Sequence, residues 1–131
     1  MPKEFRYDTV ILIDDNYIDN VIHQKILESC LFAKHILSFE SAESALKYFK
    51  TLSQKKIGLP LIVFLDLRMP EIDGYAFLER LKEIPGLPIQ QIRIYVLSSS
   101  LDPLDRKKVQ KNELTHHFIS KPLTEQTLAG L

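Results

Sequence analysis

Short apolar runs alternate along this chain with segments in which apolar residues recur every three or four positions. The runs over 9–14, 61–66 and 93–98 are rich in β-branched and other apolar residues, which is typical of strands buried on both faces. Two shorter runs, over 34–39 and 116–120, predict two further strands. The segments that follow the strands predict amphipathic helices. Five strands alternating with five helices indicate an α/β domain with a parallel sheet.

The size and charge of the chain narrow the classes of function. Its 131 residues fit one domain, and we expect that domain to span 1–131. Seventeen basic and seventeen acidic residues give a formal net charge of zero, which argues against direct binding of nucleic acid or a membrane surface through a broad charged face. Cys30 is the single cysteine, so no intrachain disulfide forms, and the apolar runs are too short to span a bilayer. These features favour a cytoplasmic protein.

Two of the predicted helices carry specific expectations. The first helix should turn one apolar stripe inward, made of Ile18, Val21, Ile22, Ile26, Leu27 and Cys30. The fourth helix begins with Asp102 at the N-cap and Pro103 at the first helical position. Its apolar stripe is thin and consists of Leu104, Val109 and Leu114. We therefore expect the fourth helix to be loosely held, and we predict a loop over 53–60.

Polar side chains stand at the ends of four predicted strands. Asp14 and Asp15 follow the first strand, and Asp66 ends the third. Ser98 ends the fourth strand, and Lys121 follows the fifth. Because the carboxyl ends of parallel strands lie along one edge of the sheet, we expect these side chains to converge there.

Each of these residues also has an ordinary structural interpretation. Asp15 or Asn16 could cap the first helix. Asp66 could cap a turn, and Lys121 could be a solvated surface charge. Three carboxylates held together repel one another, however, so a fold that gathers them needs a counter-charge. Mg²⁺ takes oxygen ligands of this kind, together with phosphate oxygens and waters. The set therefore favours phosphoryl chemistry, in which a carboxylate can itself be the acceptor.

Four motifs occur in order along the chain, each where a predicted strand ends: ILIDDN, FLDLRMPEIDG, YVLSSS and FISKPL. Together they resemble the receiver domains of two-component response regulators, and the resemblance covers essentially the whole chain. It implies a flavodoxin-like fold, in which a doubly wound sheet of five parallel strands has the order 2-1-3-4-5 and carries five helices. No output domain is expected within 1–131, so the chain is either a stand-alone receiver or part of a larger regulator.

The resemblance implies a phosphoacceptor and a Mg²⁺ site. Asp66 matches the phosphoacceptor, which would also contact the metal. Asp15 matches a direct Mg²⁺ ligand, and Asp14 matches the acid that acts through water. The backbone carbonyl of Arg68 matches the third protein ligand. Arg68 also matches a phosphoryl-binding position, although its side chain, which belongs beside the site, has no more specific role.

The resemblance also implies a set of residues around the phosphoryl group. Ser98 matches the switch hydroxyl, and Ser99 matches a position that contacts the phosphoryl oxygens. Lys121 matches the lysine that neutralises those oxygens, and its peptide bond to Pro122 is expected to be cis. Phe118 matches the switch aromatic, which fills the space that Ser98 leaves when it moves inward.

The function implied is Mg²⁺-dependent acceptance of a phosphoryl group on Asp66. The donor would be the phosphohistidine of a sensor histidine kinase or of a histidine phosphotransfer protein. Phosphorylation would switch the face made of the fourth helix, the fifth strand and the fifth helix, and the resemblance allows a homodimer linked to it. Such a protein is not an enzyme beyond catalysing its own phosphorylation and dephosphorylation.

Three alternatives remain open on the sequence. A degenerate receiver could act as an interaction module that needs no phosphorylation, although the intact set of acids and Lys121 argues against it. A Mg²⁺-dependent phosphatase with an aspartyl nucleophile carries a DxD motif, whereas here Asp14 and Asp15 are adjacent. A flavodoxin places a hydroxyl-rich phosphate loop after the first strand, where this chain has acids.

Overall fold

The computed structural model describes residues 4–52 and 60–131, so the loop predicted over 53–60 lies almost entirely outside the described residues. The elements alternate in the order β1 (Tyr7–Ile13), α1 (Tyr17–Ser29), β2 (Ala33–Phe39), α2 (Ala42–Leu52), β3 (Leu61–Leu65), α3 (Gly74–Lys82), β4 (Ile92–Ser98), α4 (Pro103–Lys111), β5 (Thr115–Ser120) and α5 (Glu125–Ala129). A 3₁₀ turn, Ile89–Gln91, precedes β4. Within the described ranges, no helix combines the length and the apolar character needed to cross a bilayer.

The five strands form one parallel sheet in the order β2-β1-β3-β4-β5, and five helices accompany it. This confirms the predicted flavodoxin-like, doubly wound fold. The central strand β3 is buried along its whole length, which explains its unbroken apolar sequence. In register, Ile13 of β1 lies beside Leu65 of β3, and Ser98 of β4 lies beside Ser120 of β5. The carboxyl ends of these strands therefore lie at one edge.

Alternate residues along the strands pack into two separate hydrophobic cores, one on each face of the sheet. Ile11 and Val63 pack on one face with the inward residues of α2 and α3, which include Phe49 and Phe77. The opposite face carries Val10, Leu12, Ile62 and Phe64, which pack with Leu27 of α1 and Leu128 of α5. A third and smaller cluster under α4 consists of Leu67, Val96 and Val109. The sheet is thus anchored on both faces, whereas α4 has little apolar contact.

The predicted inward stripe of α1 is wrong in part. Ile18 and Ile22 are 66% and 46% exposed, and Val21, Ile26 and Cys30 are half-buried. The buried residues of α1 are Asn20, His23 and Leu27. The Asn20 amide donates a 2.9 Å hydrogen bond to the carbonyl oxygen of Asp14, which turns this polar face of the helix toward the end of β1. Burial lowers the pKa of His23.

The predicted start of α4 is confirmed, but its inward face differs from the prediction. Asp102 is the N-cap, Pro103 follows it, and the Asp102 side chain accepts a hydrogen bond from the backbone amide of Leu104. Leu104 is exposed, and Leu114 lies beyond the end of the helix. Val109 and a carboxylate, Asp105, are the buried residues of α4. The inward position one turn before Val109 is therefore polar, which hydropathy alone does not predict.

Candidate functional site

Backbone hydrogen bonds extend past the strand ends and orient the polar residues that follow them. The amide of Asp66 donates to the carbonyl of Ile13 at 2.9 Å, so the ladder between β1 and β3 continues to the acidic residue. The amide of Lys121 donates to the carbonyl of Ser98, also at 2.9 Å. Sheet pairing therefore places the residues after β1, β3, β4 and β5 around one site, as the sequence predicts.

Three carboxylates meet at this edge. Asp14, Asp15 and Asp66 each offer an oxygen, and these oxygens lie within 4.8 Å of one another. Asp14 and Asp66 are buried, whereas Asp15 is exposed. Burial, followed by the charge of Asp14, raises the pKa of Asp66 to about 6. Such hard oxygen donors, whose mutual repulsion a divalent cation relieves, fit Mg²⁺.

Lys121 supplies a positive charge to the cluster. Its Nζ donates to Asp14 Oδ2 at 2.6 Å and to Asp19 Oδ2 at 2.9 Å, and it lies 3.6 Å from Asp66 Oδ1. Burial by itself lowers the pKa of Lys121, but the hydrogen bonds to Asp14 and Asp19, together with the charges of Asp66 and Asp14, outweigh burial and raise that pKa above its usual value. The peptide bond between Lys121 and Pro122 is cis, as expected.

Asp19 is a further member of this cluster that the strand-end pattern does not include. It lies in the first turn of α1, three residues after the N-cap Asn16. Its position just after β1 was the available signal, because the first turn of α1 begins at the same end of the sheet as Asp14 and Asp15. The helix itself is capped by Asn16, whose side chain accepts from the amide of Asp19 at 3.1 Å. Of the two candidates for this cap, Asn16 is the one that fills it, and Asp15 belongs to the acidic cluster.

Arg68 has a role that the sequence did not reveal. Its guanidinium forms an ion pair with Asp105 of α4. The Asp105 carboxylate also accepts from Ser100 Oγ at 2.6 Å and from Tyr75 Oη at 2.7 Å. The hydrogen bond from Ser100, with those from Tyr75 and Arg68, lowers the pKa of Asp105 although burial opposes the shift. Desolvation and the Asp105 carboxylate raise the pKa of Tyr75.

The remaining predicted residues lie around the end of β4 and on β5. Ser98 is buried, and its Oγ accepts from the amide of Ser100 at 3.0 Å. Ser99 is exposed. Phe118 is half-buried, and the guanidinium carbon of Arg106 lies 4.5 Å from its ring centroid, within the range of a cation–π contact. The aromatic ring thus contacts α4.

Gly74 allows the loop after β3 to press against α3. A Cβ atom at this position would lie 2.7 Å from the carbonyl oxygen of Asp66 and 2.9 Å from Leu67 Cα. The Gly74 amide donates to the carbonyl of Leu67 at 2.9 Å. Any larger residue would displace backbone that carries the acidic site, so glycine is needed here for close approach.

Comparison with known proteins gives the family. The sequence model of the response regulator receiver domain matches residues 10–130. This chain belongs to the receiver-domain family of response regulators. It is therefore part of the two-component signalling class, with an acidic pocket made of Asp14, Asp15 and Asp66. Receiver domains accept phosphoryl groups from histidine kinases, and they are typically not enzymes in their own right.

Relatives of this receiver domain occur in distant organisms. Two-component response regulator ORR1 of Oryza sativa is 30% identical over 124 residues, which cover 93% of this chain and 52% of that protein. Probable methanogenesis regulatory protein FilR2 of Methanothrix harundinacea is 28% identical over 119 residues, which cover 91% of this chain and 75% of that protein. The chain thus spans about half the length of the rice regulator.

A solved structure supports the assignment of the fold. The crystal structure of a two-component response regulator from Cytophaga hutchinsonii superposes with a TM-score of 0.86 and is 28% identical. The superposition covers 95% of this chain and 93% of that one. The described receiver domain therefore has the same overall arrangement as that regulator.

Proposed function

We propose that this receiver domain accepts a phosphoryl group on Asp66 from the phosphohistidine of a sensor histidine kinase or of a histidine phosphotransfer protein. One observation carries the proposal. Asp66 is buried at the sheet edge beside two further carboxylates, and the amine of Lys121 lies 3.6 Å from its Oδ1. This arrangement suits a nucleophile whose product carries additional negative charge.

The transfer exchanges one bond to phosphorus for another. A carboxylate oxygen of Asp66 attacks the phosphorus atom and forms an acyl phosphate. The bond between phosphorus and the imidazole nitrogen of the donor breaks, and its electron pair leaves with the imidazole. The backbone amide of Arg68 favours the charged form of the Asp66 carboxyl and so lowers its pKa, although burial has the larger and opposite effect.

Several side chains would stabilise the phosphoryl oxygens. Lys121 is held by Asp14 and Asp19, so its charge is already positioned beside Asp66 before transfer. Ser98 would donate its hydroxyl proton to a phosphoryl oxygen, with Ser99 beside it. Mg²⁺, when held by Asp14, Asp15, Asp66 and the backbone carbonyl of Arg68, supplies further neutralisation of charge on those oxygens.

Phosphorylation would then switch the face formed by α4, β5 and α5. Movement of Ser98 toward the phosphoryl group vacates space beside β5, and Phe118 fills it. Burying Phe118 costs less than burying a tyrosine, because phenylalanine has no hydroxyl to desolvate. We propose that this face contacts the downstream partner in the cytoplasm, and that a homodimer linked to phosphorylation is one such contact.

Phosphoryl uptake tests the proposal. The protein is incubated with acetyl phosphate and Mg²⁺, and covalent phosphoryl is measured by rapid mass spectrometry. We expect Mg²⁺-dependent uptake by the wild type and none by Asp66→Asn. The matched control is Asp8→Asn, which makes the same chemical change near the start of β1, at the end of the strand away from the site. Uptake by Asp66→Asn equal to that of the wild type would exclude the proposal.

A further inference from the structure

We propose that Asp105 is a positioning residue that holds α4 to the phosphorylation site through Arg68, and that a phosphoryl group on Asp66 draws Arg68 away and releases α4. This inference rests on the proposed function, because it takes Asp66 as the phosphoacceptor. It assigns a role to the Arg68 side chain and to a buried acid that the transfer itself does not use.

Asp105 joins three parts of the structure. Its carboxylate accepts hydrogen bonds from Arg68 in the loop after β3, from Tyr75 in α3 and from Ser100 in the loop after β4. The residue is only 3% exposed. A buried carboxylate is costly unless it is paired, so these three donors decide whether this position on α4 is stable against the site.

Besides the contacts of Asp105, α4 has little apolar packing against the rest of the domain. Val109 is its other buried residue, and the small apolar cluster under the helix contains the buried Leu67 and Val96 besides it, with the half-buried Tyr75 and Phe118 packed against them. Leu104 is 61% exposed and contributes little burial. An element with so few apolar contacts responds strongly to the loss of a polar one.

Arg68 can leave Asp105 without opening the core. Its side chain is 62% exposed, whereas the side chain of its partner is buried. It follows Asp66 by two residues, on the loop that Gly74 presses against α3. A phosphoryl group on Asp66 would add roughly −1.5 to −2 charges and oxygens that match the guanidinium fork. The new anion competes with Asp105 for one exposed cation.

Loss of Arg68 would reach the switch residues through α4. Asp105 is followed directly by Arg106, whose guanidinium lies over the ring of Phe118. On the other side, Ser100 bonds to Asp105 and its amide donates to Ser98 Oγ. A shift of Asp105 therefore acts on both Ser98 and Phe118, which gives a second connection between them beside the direct inward movement of Ser98.

Amide hydrogen exchange in α4 tests the inference, measured with and without beryllofluoride and Mg²⁺. In the wild type, beryllofluoride should speed α4 exchange roughly 5–30-fold. Arg68→Gln and Asp105→Asn should show that increase without beryllofluoride and little further change with it, and Arg68→Lys should restore part of the protection. Unchanged or slower α4 exchange in beryllofluoride-bound wild type would overturn the inference. Arg68→Gln alters an exposed side chain, so it remains usable if Asp105→Asn fails to fold.

Two further comparisons separate this inference from the proposed function. The control Lys107→Gln removes an exposed cation from the same helix and should behave as the wild type does. Without beryllofluoride, amide exchange in α4 should be no faster in the double variant, which carries both Arg68→Gln and Asp105→Asn, than in the faster of the two single variants. If the two substitutions sped exchange additively, the inference that the ion pair between Arg68 and Asp105 stabilises α4 would be wrong. Failure of Asp66 to bind beryllofluoride would instead overturn the proposed function, and with it the release step.

Discussion

Two cations lie near Asp66, Lys121 in space and Arg68 two residues along the chain, and they differ in where their anions lie. Lys121 has a side chain that is 13% exposed, and its carboxylate partners Asp14, Asp19 and Asp66 all belong to the site. Arg68 is 62% exposed, and its partner Asp105 belongs to α4. The first cation is built into the acidic cluster, whereas the second connects the cluster to a helix. A cation that lies near the phosphoacceptor is therefore not always the one that neutralises the charge of the phosphoryl group.

Burial explains why the two contacts should respond differently to change. Removing Lys121 leaves several carboxylates close together in a desolvated site, which is strongly unfavourable. Removing Arg68 leaves Asp105 with two hydrogen-bond donors, Tyr75 and Ser100. The comparison thus predicts a large effect on chemistry for Lys121, and for Arg68 an effect on α4 with little effect on chemistry.

The largest expected effect belongs to Lys121→Ala. We expect the rate of Mg²⁺-dependent phosphoryl uptake to fall by about 10²–10³-fold, because a positioned cation at the developing charge is lost. The rate is measured under single-turnover conditions, with circular dichroism to show that the variant folds. Lys107→Ala, which removes an exposed lysine of α4, serves as the control. A loss smaller than that would place Lys121 with Arg68 as a connecting residue.

Gly74→Ala tests the loop that carries both Asp66 and Arg68. The new Cβ would meet backbone atoms at 2.7 and 2.9 Å, so we expect the free energy of unfolding to fall by about 1–3 kcal/mol. Gly130→Ala is the matched control, because its Cβ would have no neighbour nearer than 3.6 Å and its φ is −85°. Urea unfolding measures both. Equal stabilities of the two variants would show that the loop tolerates displacement.

Asp19→Asn tests whether Lys121 is held within the cluster. The substitution removes one of two charged hydrogen-bond partners of the amine, and we expect unfolding to become easier by about 1 kcal/mol. Asp8→Asn, whose carboxylate accepts from Thr9 on β1, is the control. If both variants unfold at the same urea concentration, Asp19 does not contribute to the position of Lys121.

The smallest effect is expected for Arg68→Gln on phosphoryl uptake. The rate should stay within about fivefold of the wild type, because the guanidinium is paired with Asp105 rather than with Asp66 before transfer. The assay is the one used for Lys121→Ala. A loss as large as that of the lysine variant would erase the distinction between the two cations.

Much of the site could be predicted from the sequence because it depends on strand ends. Solid apolar runs define the buried strands, and parallel pairing brings the residues after them to one edge. Asp14, Asp66 and Lys121 meet for this reason, although 107 residues separate the first from the last. The strand order came from the resemblance of the motifs and is confirmed by the structure.

What could not be predicted depends on individual side-chain hydrogen bonds. The inward face of α1 carries Asn20 rather than Ile18 and Ile22, because an amide reaches a backbone carbonyl at the end of β1. The ion pair between Arg68 and Asp105 spans 37 residues and places a carboxylate where periodicity predicts an apolar residue. Hydropathy patterns describe faces of elements, and they hold no information about such pairs.

The position of the phosphoryl group is the most direct test of the account. After incubation with acetyl phosphate and Mg²⁺, borohydride reduces an acyl phosphate to an alcohol, so a phosphorylated aspartate becomes homoserine. Peptide mass spectrometry then reads the modified residue. We predict homoserine at position 66 in the wild type and unmodified residues at positions 14, 15 and 19. Homoserine at one of those other positions, or none at 66 although phosphoryl is taken up, would contradict the assignment of Asp66.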